Sequence, residues 1–276
     1  MRVIELSNHP RALLAKAAAP RLAAEAQAKQ EWQRACEARE QRIEALQCER
    51  TGARSPLRPG RWLLASLKLA VISLSSAPPS PRPIAPSHEE HAKAAGVQGE
   101  DHVLTALCER LGDDWRALSG YKNRGGEVDL LLLGPRGVFA LEIKNINVTI
   151  VCHGDYWHGE KYDKYGNLVG ERAVTDNAGR SPSQELNEPT DQLTAVLAAR
   201  WPQLWIERIV VLCHPRGWVD VDRSSQFTVA VANDLDFVLD LIAKSQAHFG
   251  AAEIAELEEA IITHHRRHGR PPAGRR

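Results

Sequence analysis

The sequence predicts an α/β domain behind a helical arm, on three observations. From residue 90 onward, segments with helical spacing of apolar residues alternate with short apolar runs bounded by Gly, Pro, Asn and Asp. Between Ser75 and Ser87, five prolines in thirteen residues can neither continue a helix nor pair in a sheet. Ahead of them, residues 20–50 are rich in Ala, Glu, Gln and Arg and lack the apolar content of a core.

Composition sets the outer limits. The 276 residues are 43% hydrophobic and 25% charged, with a mean hydropathy of −0.35, which excludes collagen-like, wholly disordered and multi-span membrane chains. The longest apolar run, Trp62 to Leu74, is 13 residues with Lys68 inside it, against roughly 20 for a spanning helix, so no stable membrane insertion is expected. Five scattered cysteines, Cys36, Cys48, Cys108, Cys152 and Cys213, and a charged first twenty residues point to a reducing, cytoplasmic setting with free thiols. The net charge is zero but uneven. Residues 1–95 hold 15 basic and 9 acidic side chains, residues 96–250 hold 15 and 22, and the rest hold 5 and 4. An acidic middle segment is not a generic nucleic-acid surface, so its carboxylates call for another explanation.

The elements follow in order. Residues 20–50 form one polar helix whose thin stripe (Trp32, Cys36, Ile43, Leu46) is interrupted by Arg39 and Arg50. It reads as a surface helix packed on a neighbour, with self-association or a protein partner as the alternative. Six basic residues and no acid lie between Arg50 and Arg82. The expected organisation is a helical and basic region over 1–74, a Pro-rich linker over 75–90, the α/β domain over 91–250, and a C-terminal helix and basic tail over 251–276. Within the domain, helices are expected at 90–111, 186–200 and 233–247, with Pro189 near the start of the second and Asn233 capping the third. Strands are expected at 116–121, 128–133, 138–145, 148–152, 156–160, 206–213 and 227–232, and 163–182 reads as a loop.

The chemistry concentrates in one hairpin. Gly126-Glu127-Val128-Asp129 and four leucines lead into Gly134-Pro135-Arg136-Gly137, then Val138-Phe139-Ala140-Leu141-Glu142-Ile143-Lys144-Asn145. A four-residue loop pairs Leu133 with Val138, which sets Asp129 opposite Glu142 and Glu127 opposite Lys144. Strand alternation then gathers these four charges on one face and Val128, Leu130, Leu132, Phe139, Leu141 and Ile143 on the other, the core face. Opposed carboxylates repel. A protonated carboxyl, a bridging base or a hard cation would relieve them, and the cation fits best, since Mg²⁺ is commonly held by one or two carboxylates plus water. Lys144 beside it could orient a hydrolytic water. A surface ion-pair patch shared by Lys144 and Arg124 is the alternative.

These residues resemble the nuclease-related domain (NERD) family, itself similar to the PD-(D/E)XK nuclease superfamily. The resemblance runs from about Gly99 to Leu241 and rests on Gly99-Glu100, Gly126-Glu127-Val128-Asp129, Gly137-Val138-Phe139, Glu142-Ile143-Lys144-Asn145, Trp157 and Glu188-Pro189-Thr190-Asp191-Gln192. It implies a restriction-endonuclease-like fold, a central mixed sheet flanked by helices. It also implies DNA as partner and phosphodiester hydrolysis with Mg²⁺ or Mn²⁺. By the same resemblance Asp129 and Glu142, with the Ile143 carbonyl, are metal ligands. Lys144 is the catalytic lysine, and Glu100 and Gln192 are supporting groups. Lys122, Arg124 and Lys161 would then hold the nucleic acid. An inactive nuclease-fold module that binds DNA or protein is the second expectation. Zinc held by Cys152-His153, His158 and Cys213-His214 is a further possibility of ligand type, though no standard zinc spacing is present.

Overall fold

The computed structural model describes residues 1–52 and 59–268. The chain clusters into two units, one built from Met1–Leu13 and everything from Ala92 on, the other from Leu14–His91.

In the second unit, α1 (His9–Gly52) contributes its long polar portion, which runs through Pro20 rather than starting after it. α2 (Pro59–Leu74) contains the apolar run. Arg39 of α1 donates to the Ile72 and Ser75 carbonyls and so anchors the end of α2. The proline segment forms neither helix nor strand, and side chains of α1 tie it down instead. Trp32 Nε1 donates to the Pro78 carbonyl at 2.9 Å, and Glu25 accepts the Ile84 N–H. Ser87 and Glu90 exchange hydrogen bonds in a capping box, which starts α3 (His88–Arg110). Arg54 and Arg58 of the expected basic stretch lie outside the described residues. No described helix is long and apolar enough to cross a membrane.

The first unit is a mixed α/β layer structure. Its six-stranded sheet has the order β1 (Arg2–Glu5), β2 (Arg116–Lys122), β3 (Glu127–Gly134), β4 (Gly137–Lys144), β8 (Ile206–Leu212) and β10 (Ala230–Ala232). The β2–β3 and β3–β4 pairs are antiparallel, and the β1–β2, β4–β8 and β8–β10 pairs are parallel. A four-stranded sheet of order β7 (Leu168–Ala173), β6 (Tyr156–Tyr162), β5 (Thr149–His153) and β9 (Trp218–Val219) completes it. The helices are α3, α4 (Pro182–Leu197), α5 (Leu235–Lys244) and α6 (Ala251–His268).

Both faces of the large sheet are core. On one, Leu131, Leu133, Val138 and Ala140 pack with Leu186 and Leu193 of α4 and Ile254, Leu257 and Ile261 of α6. On the other, Leu130, Leu132, Phe139 and Leu141 pack with Val103 and Leu107 of α3 and Val238 and Ile242 of α5. The single-core-face expectation for the hairpin is therefore corrected. An unbroken run of four leucines is the mark of a strand covered on both sides.

The loop is also tighter than expected. Gly134 pairs with Gly137, leaving only Pro135 and Arg136 in the turn, with the register unchanged. Gly134 is required there because a Cβ would enter the Trp115 ring. Three further elements depart from expectation. β1 extends the sheet from the extreme N-terminus, β7 occupies part of the 163–182 loop, and α4 begins at Pro182 rather than 186. β7 is exposed throughout and pairs with one neighbour, so no apolar alternation announces it.

Candidate active site

The ends of β3 and β4 part company where the charges lie. The β3–β4 ladder closes at Leu130 and Leu141, whereas β4 continues along β8 until Lys144 meets Leu212. Beyond Leu141, the side of β4 that faced β3 has lost its backbone partner. Asp129 supplies the missing acceptor, with Oδ2 taking the Ile143 N–H at 2.7 Å. An orphaned N–H on the buried Ile143 would cost about 1–3 kcal/mol, so this carboxylate is part of the local structure as well as a charge.

The splay starts one strand earlier. Gly120 of β2, with φ +69°, lies across from Asp129 and is skipped by the β2–β3 ladder, which resumes at Tyr121 and Val128. Val128 consequently joins the Leu131 face, not the Leu130 face to which alternation assigns it. Asp129 lines a cavity of about 200 Å³ with Glu100, Leu104, Ser119 and Ile143, on the side of α3. The expected opposition of Glu127 and Lys144 does not occur. Glu127 pairs across to β2, accepting from Lys122 at 3.3 Å and from Ser7 at 2.9 Å.

Glu142 is 5% exposed, and its Oε1 accepts from Lys144 Nζ at 2.7 Å. The same ammonium donates to Glu185 Oε2 at 2.6 Å. Glu185 lies in the first turn of α4, which Ser181 and Gln184 cap reciprocally. Glu185 is the site residue that the sequence reading missed. The signal was present as Ser181-x-x-Gln184, a capping box that starts the helix about two turns before Pro189 and places Glu185 on it.

Glu100 approaches from α3. Gly99 makes this possible, since a Cβ there would sit 2.8 Å from Asn145 Cβ and 2.9 Å from Cys213 Sγ. Asn145 in turn donates to the Ala95 carbonyl at 2.7 Å, fixing α3 to the end of β4.

Electrostatics link these groups. Burial, reinforced by Glu127 and Glu142, pushes the Glu100 carboxyl up to about 7. Burial and then the Glu100 charge push Asp129 up to about 7, against the opposing pull of Lys144 and the Ile143 N–H. Glu142 is raised well above the usual carboxylate range by burial and by Asp129. For Lys144, burial works against the ammonium, but Glu142, Glu185 and Asp129 outweigh it and hold the charge. One cation thus faces several acids whose ionisation is suppressed, a shortage of positive charge that oxygen-seeking divalent cations relieve. Carboxylate oxygens are donors of the type that hard divalent cations take.

Other expected residues lie elsewhere. Gln192 is exposed, and its Oε1 accepts the Gly125 N–H at 3.0 Å. Asn123 reaches the Pro189 carbonyl at 2.8 Å, and Arg180 bridges the Gly125 carbonyl and Glu188. The Glu188–Gln192 motif therefore clasps the turn between β2 and β3. Arg124 is exposed on that turn, Lys122 is tied to Glu127, and Lys161 sits on β6. The cysteine–histidine pairs do not converge, because Cys152-His153 belongs to the four-stranded sheet and Cys213-His214 follows β8 of the other. Among the described residues, one trio of acids and histidine gathers its ligand atoms within 4.8 Å, namely His158, Glu160 and Glu171. Glu160 is already engaged by Arg223 and Tyr162, which hold it down to about 2, so the trio reads as an ion-pair network.

Comparison with known proteins adds one finding. The family model described as nuclease-related domain matches residues 95–213, a span that includes Glu100, Asp129, Glu142, Lys144, Glu185 and Gln192. No curated protein and no solved structure matches the chain. Residues 95–213, with acids and a lysine near the place where two strands splay apart, are thus similar to the nuclease-related domain family.

Proposed function

We propose that the domain hydrolyses phosphodiester bonds of DNA, using Mg²⁺ or Mn²⁺ held by Asp129 and Glu142, with the Ile143 carbonyl as a further ligand. The observation that carries this reading is the largely buried Glu142–Lys144–Glu185 triad beside Asp129. An excess of buried acid is costly unless a cation balances it. When bound, the cation supplies Lewis-acid polarisation of a phosphoryl oxygen and lowers the pKa of bound water.

The chain's own residues do the rest. An ammonium has three hydrogens. Lys144 directs two of them to Glu142 and Glu185, which leaves one for the attacking water or a phosphate oxygen. Both acids keep Nζ charged and aimed, so positive charge is in place as negative charge develops on the phosphoryl group. Glu100, whose carboxyl burial raises to about 7, is suited to accept the proton that the water gives up. Gln192 acts at one remove, by fixing the turn that leads into β3.

The test is incubation of purified protein with linear, circular and single-stranded DNA and Mg²⁺ or Mn²⁺, beside Asp129→Ala and Lys144→Ala. Cleavage by the wild type that disappears in both variants is the expected result. Equal nicking by all three preparations refutes it and leaves the nuclease fold as a binding module. Calorimetric titration with Mn²⁺ gives an independent check, since Glu142→Ala should lose the binding isotherm.

A further inference from the structure

The four-stranded sheet carries a second cavity, of about 560 Å³, that hydrolysis at Lys144 does not use. Its size falls within the roughly 300–1,000 Å³ of small-ligand sites. Two aromatic residues that line it are open to solvent, Trp218 at 52% exposure and Tyr162 at 42%. Large aromatics normally bury themselves, so two left open in one concavity need a reason.

Both rings are held in place rather than loose. Trp218 Nε1 donates to Thr149 Oγ1 at 2.7 Å, and Tyr162 donates its hydroxyl to Glu160 Oε2 at 2.6 Å. The lining acids are already satisfied. Arg223 takes Glu160 with two hydrogen bonds and Asp220 with a third, and Asp163 accepts from the backbone of its own turn. Lys161, Lys164 and Arg216 remain, and none of them has a carboxylate partner among the described residues.

Anchored aromatic rings next to cations that have no carboxylate partner among the described residues (Lys164 Nζ lies 4.8 Å from the Tyr165 ring centre) match one chemical class, a base stacked on a ring with its phosphate on an ammonium or guanidinium. A paired base in a duplex has its faces covered, so the fitting partner is unpaired. Position agrees with this. Asn147, at the cavity edge, is three residues beyond Lys144, which keeps their Cα atoms within about 11 Å.

We infer that this cavity is a docking site for a single-stranded nucleic-acid segment, with Trp218 and Tyr162 as stacking faces and Lys161, Lys164 and Arg216 as phosphate contacts. The inference takes its polymer from the reading above and adds where, and in what form, the strand is held.

Fluorescence anisotropy of labelled (dT)10 with the full chain in EDTA tests it, since no cleavage is then required. Trp218→Ala should weaken binding about 5- to 100-fold, whereas Trp218→Phe should stay close to wild type. Lys161→Ala and Arg216→Ala should each lower the slope of log K against log salt by about 0.7. Circular dichroism reports whether Trp218→Ala folds. If it does not, Lys161→Glu and Arg216→Glu on the exposed rim decide, and unchanged (dT)10 affinity in them overturns the inference. Wild-type affinity in folded Trp218→Ala, or a hairpin duplex bound as tightly as (dT)10, overturns it as well. Lys144→Ala separates the two readings. Intact (dT)10 binding without cleavage in that variant leaves the cavity standing on its own, and intact cleavage by Trp218→Ala at saturating DNA leaves the chemistry standing without it.

Discussion

Replacing Asp129 with asparagine should make the protein more stable at pH 8, and by less than half as much at pH 5. In the unfolded chain this carboxyl titrates near 3.8, and in the folded chain burial and Glu100 raise it to about 7. The folded state therefore binds more protons between those values. The stability contributed by the protonated acid is complete below about pH 4 and is lost as pH rises through about 7. A separation of about three pKa units corresponds to about 4 kcal/mol at 1.36 kcal/mol per unit. Because Glu100 and Glu142 titrate together with it, about 2–4 kcal/mol is the working range. The amide of the Asp129→Asn variant would carry no charge to desolvate, and its oxygen can still accept the Ile143 N–H. For a chain of this size that translates to roughly 5–15 °C in Tm. Thermal melts of both proteins in EDTA, at pH 5 and pH 8, give the answer directly. Adding Mn²⁺ should then stabilise the wild type and not the variant, by about 2.7 kcal/mol at a hundredfold excess over Kd. A variant less stable than wild type at pH 8, or an equal difference at both pH values, would refute the assignment of an unfavourable buried charge at this position.

Two further outcomes follow from packing. Gly99→Ala places a methyl group against Asn145 and Cys213 and should cost about 1–3 kcal/mol in chemical denaturation. Gly96→Ala, one turn earlier in α3 with nothing within 4 Å, should gain about 0.5–1 kcal/mol. Gln192→Ala removes one of two acceptors of the Gly125 N–H and leaves Asn123 Oδ1 at 2.8 Å, so urea titration should show a loss below about 1 kcal/mol.

The hairpin was legible because its information is local. A turn sequence fixes the register, which holds as far as Leu130 and Leu141 without knowledge of the rest of the chain. The charges in β3 and β4 were visible for the same reason. What escaped depended on distant partners. Arg2-Val3-Ile4-Glu5 is too short to stand out by alternation, and its parallel partner begins at Arg116. The second core face required knowing that α4 and α6 cover the side on which Glu142 and Lys144 sit. Glu185 escaped through a misplaced boundary, because starting the helix at Leu186 hid the cap at Ser181. Gln192 was placed by resemblance and proved to hold a turn, since spacing along a helix says nothing about which loop comes to meet it.

The strand at the very start of the chain has a practical consequence. Arg2–Glu5 forms one edge of the large sheet, and Ser7 holds Glu127. Leu6 closes the join, its carbonyl within 3.1 Å of His265 Nε2 on α6. The proline boundary invites an expression fragment beginning near residue 91, yet such a fragment would leave β2 with an unpaired margin and Glu127 without its hydroxyl. Anyone isolating the α/β unit should keep the first dozen residues, either by retaining the whole arm or by splicing them back ahead of α3.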